Sequence, residues 1–126
     1  MADEILWLGS PEEKDYAAAE SVLLLDHSRR DAENIVSLLE ADPTIHHFAA
    51  KDILRRSGEP QLPKSNRHVA HNLKKIEKGE PLSPVLLVAG RRDKGVPLLI
   101  ADGYHRVSAV HAFDEDALIP CKIIHG

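Results

Sequence analysis

The residues best suited to chemistry stand together in one run, Asp102-Gly103-Tyr104-His105-Arg106. An apolar stretch precedes it and a helix-period pattern follows, so the run predicts a strand-to-helix junction. A glycine there lets the backbone turn tightly and an oxygen-rich ligand come close, while the first free amides and the helix dipole favour an anion. His105 and Arg106 fall in the first helical turn, where positive charge opposes that dipole. A bound phosphate would offset the cost: the guanidinium can bridge two oxygens, and the imidazole can donate a hydrogen bond or act as acid or base near neutral pH. Asp102 would repel that phosphate unless a divalent cation lay between them or the acid served as base toward a hydroxyl. The competing reading is structural: Asp102 caps the helix, Gly103 permits the turn, and His105 and Arg106 are solvated or paired with acids of the N-terminal region.

Weaker constellations flank this run. His68 and His71 lie three apart on a helix-period stretch, a spacing able to hold a metal, but no third ligand is close in sequence and no metal site is expected. The adjacent His46 and His47 point to opposite sides if their segment is extended, one inward and one outward. Lys64, Arg67, Lys74, Lys75 and Lys78 against Glu77 make a basic side, read first as solvated and second as facing a phosphate or an acidic partner. Cys121 reads as a small buried hydrophobe, and Lys122 as pointing toward solvent or ligand.

The elements that must position these groups follow from caps and periodicity. Ser10, Pro11 and Glu13 form a capping-box start for a helix over about 11–25. Ser28 with Asp31 starts a second, whose apolar positions Ala32, Ile35, Val36 and Leu39 repeat at the helical period until Asp42-Pro43 stops it. Together they predict a helical hairpin, 1–43, joined to a body at 44–126. In the body, 45–50 reads as a strand, 51–57 as one or two helical turns ended by Gly58, and 59–65 as a loop. Residues 66–78 read as a helix with Val69, Leu73 and Ile76 on its buried stripe and Gly79 as its stop. The runs 84–88 and 96–100 predict a β-hairpin. A helix with Tyr104, Val107, Val110 and Phe113 on one face then leads to a closing strand at 119–124. Strands and helices without regular alternation point to an α+β fold.

Composition bounds the partners. A chain of 126 residues holds one compact domain with a small appendage, and it can bury about two-thirds of its unfolded surface without disulfides. Cys121 is the only cysteine, which fits a reducing compartment. The first residues carry acids where a signal peptide needs bases, so a cytoplasmic location is expected. Residues 1–45 hold 11 acids against three bases, a charge of −8, whereas residues 46–126 hold 13 bases against nine acids, a charge of +4. An anionic partner should therefore meet the body. The small excess and the five aromatic residues argue against single-stranded nucleic acid.

The stretch LLIADGYHRVSAVHAFDEDALIPCKII, residues 98–124, resembles the C-terminal half of the ParB/sulfiredoxin-like fold. The shared features are an apolar strand, a Gly-x-[His or Arg]-Arg-x-x-Ala turn into a helix, and a closing Ile-Pro strand. They fall here on Gly103, His105, Arg106, Ala109, Ile119 and Pro120. Leu82 to Val88 is similar to the Pro-containing strand of that fold. The resemblance implies a small mixed sheet with helices and binding of a nucleotide (ATP, ADP or CTP, with or without Mg2+). It puts Gly103, His105 and Arg106 at the phosphates, with Tyr104 in the same turn counted among the binding residues, and the residue chemistry above makes Asp102 and His105 the candidate catalytic pair. Sulfiredoxins carry their nucleophilic cysteine where this chain has Tyr104, so sulfinic acid repair is not implied, and the centromere binding that ParB proteins perform through a following helix-turn-helix domain is not expected of these residues. Asp102 to Arg106 differs at one position from the Asp-Gly-His-His-Arg motif of the free serine kinase branch.

Three functions follow in order: a nucleotide-dependent phosphotransferase acting on a small hydroxyl compound, a non-catalytic nucleotide-binding or protein-interaction module, and, last, a ParB-like nuclease. Removing Arg106 is expected to weaken nucleotide binding with little loss of fold.

Overall fold

The computed structural model describes residues 4–125. The acidic front folds as two helices. α1 (Glu13–Leu23) starts later than Ser10 and Pro11 predict: Glu12 is its cap, and Asp15, three residues on, closes a capping box by accepting from the Glu12 N–H at 2.8 Å. α2 (Arg29–Ala41) starts as its sequence predicts, with the Ser28 hydroxyl accepting from the Asp31 N–H at 3.1 Å.

β1 (His46–Ala49), α3 (Ala50–Ser57) and α4 (Arg67–Lys78) follow close to their expected positions, the two helices ending at Gly58 and Gly79. β2 (Val85–Val88) pairs antiparallel with β3 (Leu99–Asp102). β3 begins later than the run 96–100 suggests. Val96 bridges back to Arg91, and the Val96–Pro97 backbone crosses so near Gly90 that a Cβ there would lie 2.3 Å from the Val96 carbonyl oxygen. α5 (Tyr104–Phe113) and β4 (Leu118–Ile124) complete the chain. The sheet order is β1-β4-β2-β3, with β4 parallel to β2 and the other pairs antiparallel, so the fold is α+β with a mixed sheet and an N-terminal helical region.

Both faces of the sheet are covered. On one, Leu86 and Ala101 meet Ala19 of α1 and Leu39 of α2, all fully buried. On the other, Val85, Leu87, Ile119 and Cys121 pack with Ile53, Ile76, Val107 and Val110 of α3, α4 and α5. Each large apolar side chain sealed in this way contributes about 1.5–3 kcal/mol.

The hairpin's cover overturns the outward reading of Lys122. Its face is not solvent, so the side chain is 6% exposed and its Nζ donates to the Leu39 and Glu40 carbonyls at 3.1 and 3.3 Å, satisfying the end of α2. Phe113 also departs from expectation: Val107 and Val110 are buried, but Phe113 is 40% exposed at the last turn of α5. The Ile5–Leu8 run, not assigned from sequence, lies extended beside Leu82, with Leu8 N–H donating to the Leu82 carbonyl at 2.8 Å. Among the described residues, no helix is long and apolar enough to cross a membrane.

Candidate functional site

The run Asp102–Arg106 lies at the junction expected for it, between the end of β3 and the start of α5. Gly103 sits at φ 109°, a left-handed conformation that other residues strongly disfavour. The space its missing side chain leaves is filled from within. A Cβ there would lie 2.5 Å from Val85 Cγ1 and 2.8 Å from Arg106 Nη2, so the glycine admits the guanidinium and the β2 side chain against the backbone.

Arg106 is turned inward. Its Nη2 donates to Asp102 Oδ2 at 2.6 Å and its Nη1 to Asp15 Oδ1 at 3.3 Å, and Nε is buried without a partner. The three side chains are 14%, 14% and 4% exposed for Arg106, Asp102 and Asp15. The guanidinium thus joins the first turn of α1 to the β3–α5 junction. Sequence reasoning named acids of the N-terminal region as its alternative partners, and Asp15 is the one it meets.

The two carboxyls that share Arg106 titrate in opposite directions. Burial raises the Asp102 carboxyl above the ordinary carboxylate range, and Arg106 offsets only part of that, with Asp15 adding repulsion. Burial acts on Asp15 too, but the Glu12 amide, Arg106 and the Ser83 hydroxyl outweigh it and hold that carboxyl below its usual range. The difference follows from donors: Asp15 has a backbone amide of its own, whereas Asp102 depends on the guanidinium. Asp15 is the firmly ionised partner, and Asp102 is the acid that takes up a proton first.

The outer side of the junction is different in character. The α5 N-terminus has no side-chain cap, and the first-turn amides of a helix have no intrahelical acceptor. Tyr104 is committed elsewhere, its hydroxyl donating to the Pro60 carbonyl. Ser108, fully buried, accepts from the Leu62 N–H at 3.1 Å. These two contacts strap the 60–62 loop onto α5. Asn66 caps α4, its Oδ1 accepting from the His68 and Val69 amides. The His68 ring then lies 4.7 Å from that of His105, tilted by 50°.

Three influences act on His105, and all push its pKa down: burial first, then His68, then Arg106. The groups that perturb it are bases, with no acid to balance them. His71, paired with His68 by sequence spacing, is exposed, and His105 is the histidine that meets His68. Their positions 37 residues apart in the chain gave no sequence signal of this contact.

Elsewhere, His46 is half-buried and stacks on Phe48 while His47 is exposed. Cys121 is fully buried, and burial pushes its thiol up to about 12. Among the described residues no three His, Cys, Asp or Glu side chains gather as metal ligands. Compared with family models, with curated proteins and with solved structures, the chain gives no match.

Proposed function

We propose that this chain is a ParB/sulfiredoxin-like module that binds the phosphate tail of a nucleotide at the start of α5, in a cytoplasmic setting. The anion would be met by the first amides of α5 and by the His105 and His68 rings. The observation that carries the reading is the pairing of two imidazoles at an uncapped helix start, with no acid among the groups perturbing His105. A phosphate supplies the negative charge that this corner lacks. The strand–Gly–helix junction and the Ile119-Pro120 closing strand support the family resemblance.

The contacts favour binding over catalysis. Asp102, the acid that phosphotransfer to a hydroxyl would employ as base, is held by Arg106 at 2.6 Å, and Arg106 spends both terminal nitrogens on carboxylates. Arg106 therefore supports the junction from beneath, and His105 is the side chain left for the ligand. Small anions fit this corner better than nucleic acid, since few aromatic residues exist to stack bases.

Calorimetric titration with ATP, ADP, CTP and pyrophosphate, with and without magnesium, tests the reading. His105 is held neutral by its surroundings, and a bound phosphate would raise its pKa. Binding should then take up a proton and strengthen by roughly tenfold from pH 8 to pH 6. His105→Ala should remove a charge-assisted contact of about 1.5–3 kcal/mol, a loss of roughly tenfold or more at pH 6. Absence of saturable binding, or affinity unchanged by pH and by the substitution, overturns it. Phosphorylated product from serine or another alcohol would restore the phosphotransferase reading.

A further inference from the structure

A bowl of about 570 Å³ opens at the far end of the β2–β3 pair from Gly103. Its floor is apolar, with Phe48, Ile53 and Leu98 prominent, and its rim carries Arg55, Arg56 and Arg92 against a single acid, Asp52. We propose that this bowl binds a small amphiphilic anion, a phosphate or carboxylate head on an apolar body. The site is separate from the α5 start and does not depend on the function proposed there.

The charge pattern carries the argument. Among the described residues none of the three rim arginines makes an ion pair, although Arg91, next in the chain to Arg92, is paired with Asp93 at 3.3 Å. The rim therefore keeps an excess of two positive charges around a shared hollow. Arg55 and Arg56 sit in the last turn of α3, where a cation suits the helix dipole, so their location alone has a structural cause. Arg92 has no such cause. It comes from a separate short turn, Arg92–Lys94, and still lines the same bowl.

Backbone contacts hold the rim in place. The Leu98 N–H donates to the Arg56 carbonyl at 3.1 Å, which ties α3 to the approach of β3. The close crossing at Gly90 fixes the base of the loop that bears Arg92. Guanidinium forks match the oxygens of a carboxylate or phosphate and can hold them in two-point contacts. The volume lies within the roughly 300–1,000 Å³ usual for small-ligand sites, which are mostly apolar with a few convergent polar groups. Phe48, 37% exposed on the edge strand β1, offers a ring face for the apolar body.

The test is a nuclear magnetic resonance titration of the full chain with octyl phosphate and with octanoate, and with octanol as the neutral comparison. Both anions or one should saturate, with shifts centred on the Phe48, Gly90 and Leu98 amides and affinity about tenfold or more above octanol. Saturation by one anion alone identifies the head group. Arg55→Gln combined with Arg92→Gln should weaken the anion by roughly tenfold or more. Arg92→Glu on the exposed turn repeats the test should the double variant fail to fold. No saturation by either anion, equal affinity for octanol, shifts centred on His105, or unchanged affinity in the arginine variants would overturn the proposal.

Discussion

Replacing Arg106 by alanine should cost far more stability than its place in a ligand motif suggests. The side chain is 14% exposed and bridges two buried carboxylates, so its removal leaves Asp15 and Asp102 facing each other without a cation. Breaking a buried ion pair from one side costs about 3–5 kcal/mol, because the surviving charge stays desolvated. Near the melting point a chain of this size gains about 0.26 kcal/mol/K of entropy on unfolding, so each kcal/mol lowers Tm by about 4 °C. The expected loss is therefore about 12–20 °C at pH 7, read by circular dichroism. The pH dependence adds a second check. In the variant, burial and Asp15 act on Asp102 with no guanidinium against them, so its folded pKa rises further above the unfolded one. A carboxyl raised in this way makes stability fall as pH climbs from the ordinary carboxylate pKa toward the raised one, so the deficit should shrink as pH is lowered from 7 to 5. Adding Asp102→Asn to Arg106→Gln should recover part of the loss, since the carboxylate pair is then reduced to Asp15 alone, which keeps the Glu12 amide. A Tm loss below about 4 °C, or a deficit identical at both pH values, would refute the ion-cluster account.

Other perturbations probe the rest of the frame. Lys122→Met should cost about 2 kcal/mol and speed amide exchange in the last turn of α2, whose Leu39 and Glu40 carbonyls lose their donor; unchanged exchange there would count against the capping role. Gly103→Ala should destabilise by about 2 kcal/mol or more, because φ is 109° and Val85 occupies the space, and a variant that melts with the parent would mean the junction is more pliable than its geometry implies. Cys121, buried and with its thiol pushed up to about 12, should resist iodoacetamide at pH 8 until the chain is unfolded, and rapid labelling of the native protein would contradict its burial.

Much of the fold was legible because local signals agreed with tertiary need. The Ser28 cap, the stops at Gly58 and Gly79 and the period of Ala32, Val36 and Leu39 each act within a turn or two of one helix, and each lies where the pattern placed it. The misreadings share one physical origin. Lys122 and Phe113 were placed by alternation and by helical period, which give the face but not what covers it. The hairpin seals the Lys122 side of the sheet, and the end of α5 leaves Phe113 beyond the core. Glu12 took the cap from Ser10 because Asp15, three residues after it, serves the Glu12 amide and Arg106 together.

The candidate site divides along the same line. Asp102, Gly103, His105 and Arg106 were adjacent in the chain and so were found together. Asp15 and His68, lying 91 and 37 residues from their partners Arg106 and His105, were not tied to them as partners. Those two long-range contacts divide the labour of the motif. Asp15 draws Arg106 inward, making it a joint between hairpin and sheet, while His68 comes up beside His105 and leaves an imidazole pair at an uncapped helix start. A motif residue that also joins two layers is hard to spare for a ligand, because each nitrogen given to a phosphate must first leave a buried carboxylate. Binding chemistry in this chain should therefore follow His105, and loss of Arg106 should register first in stability.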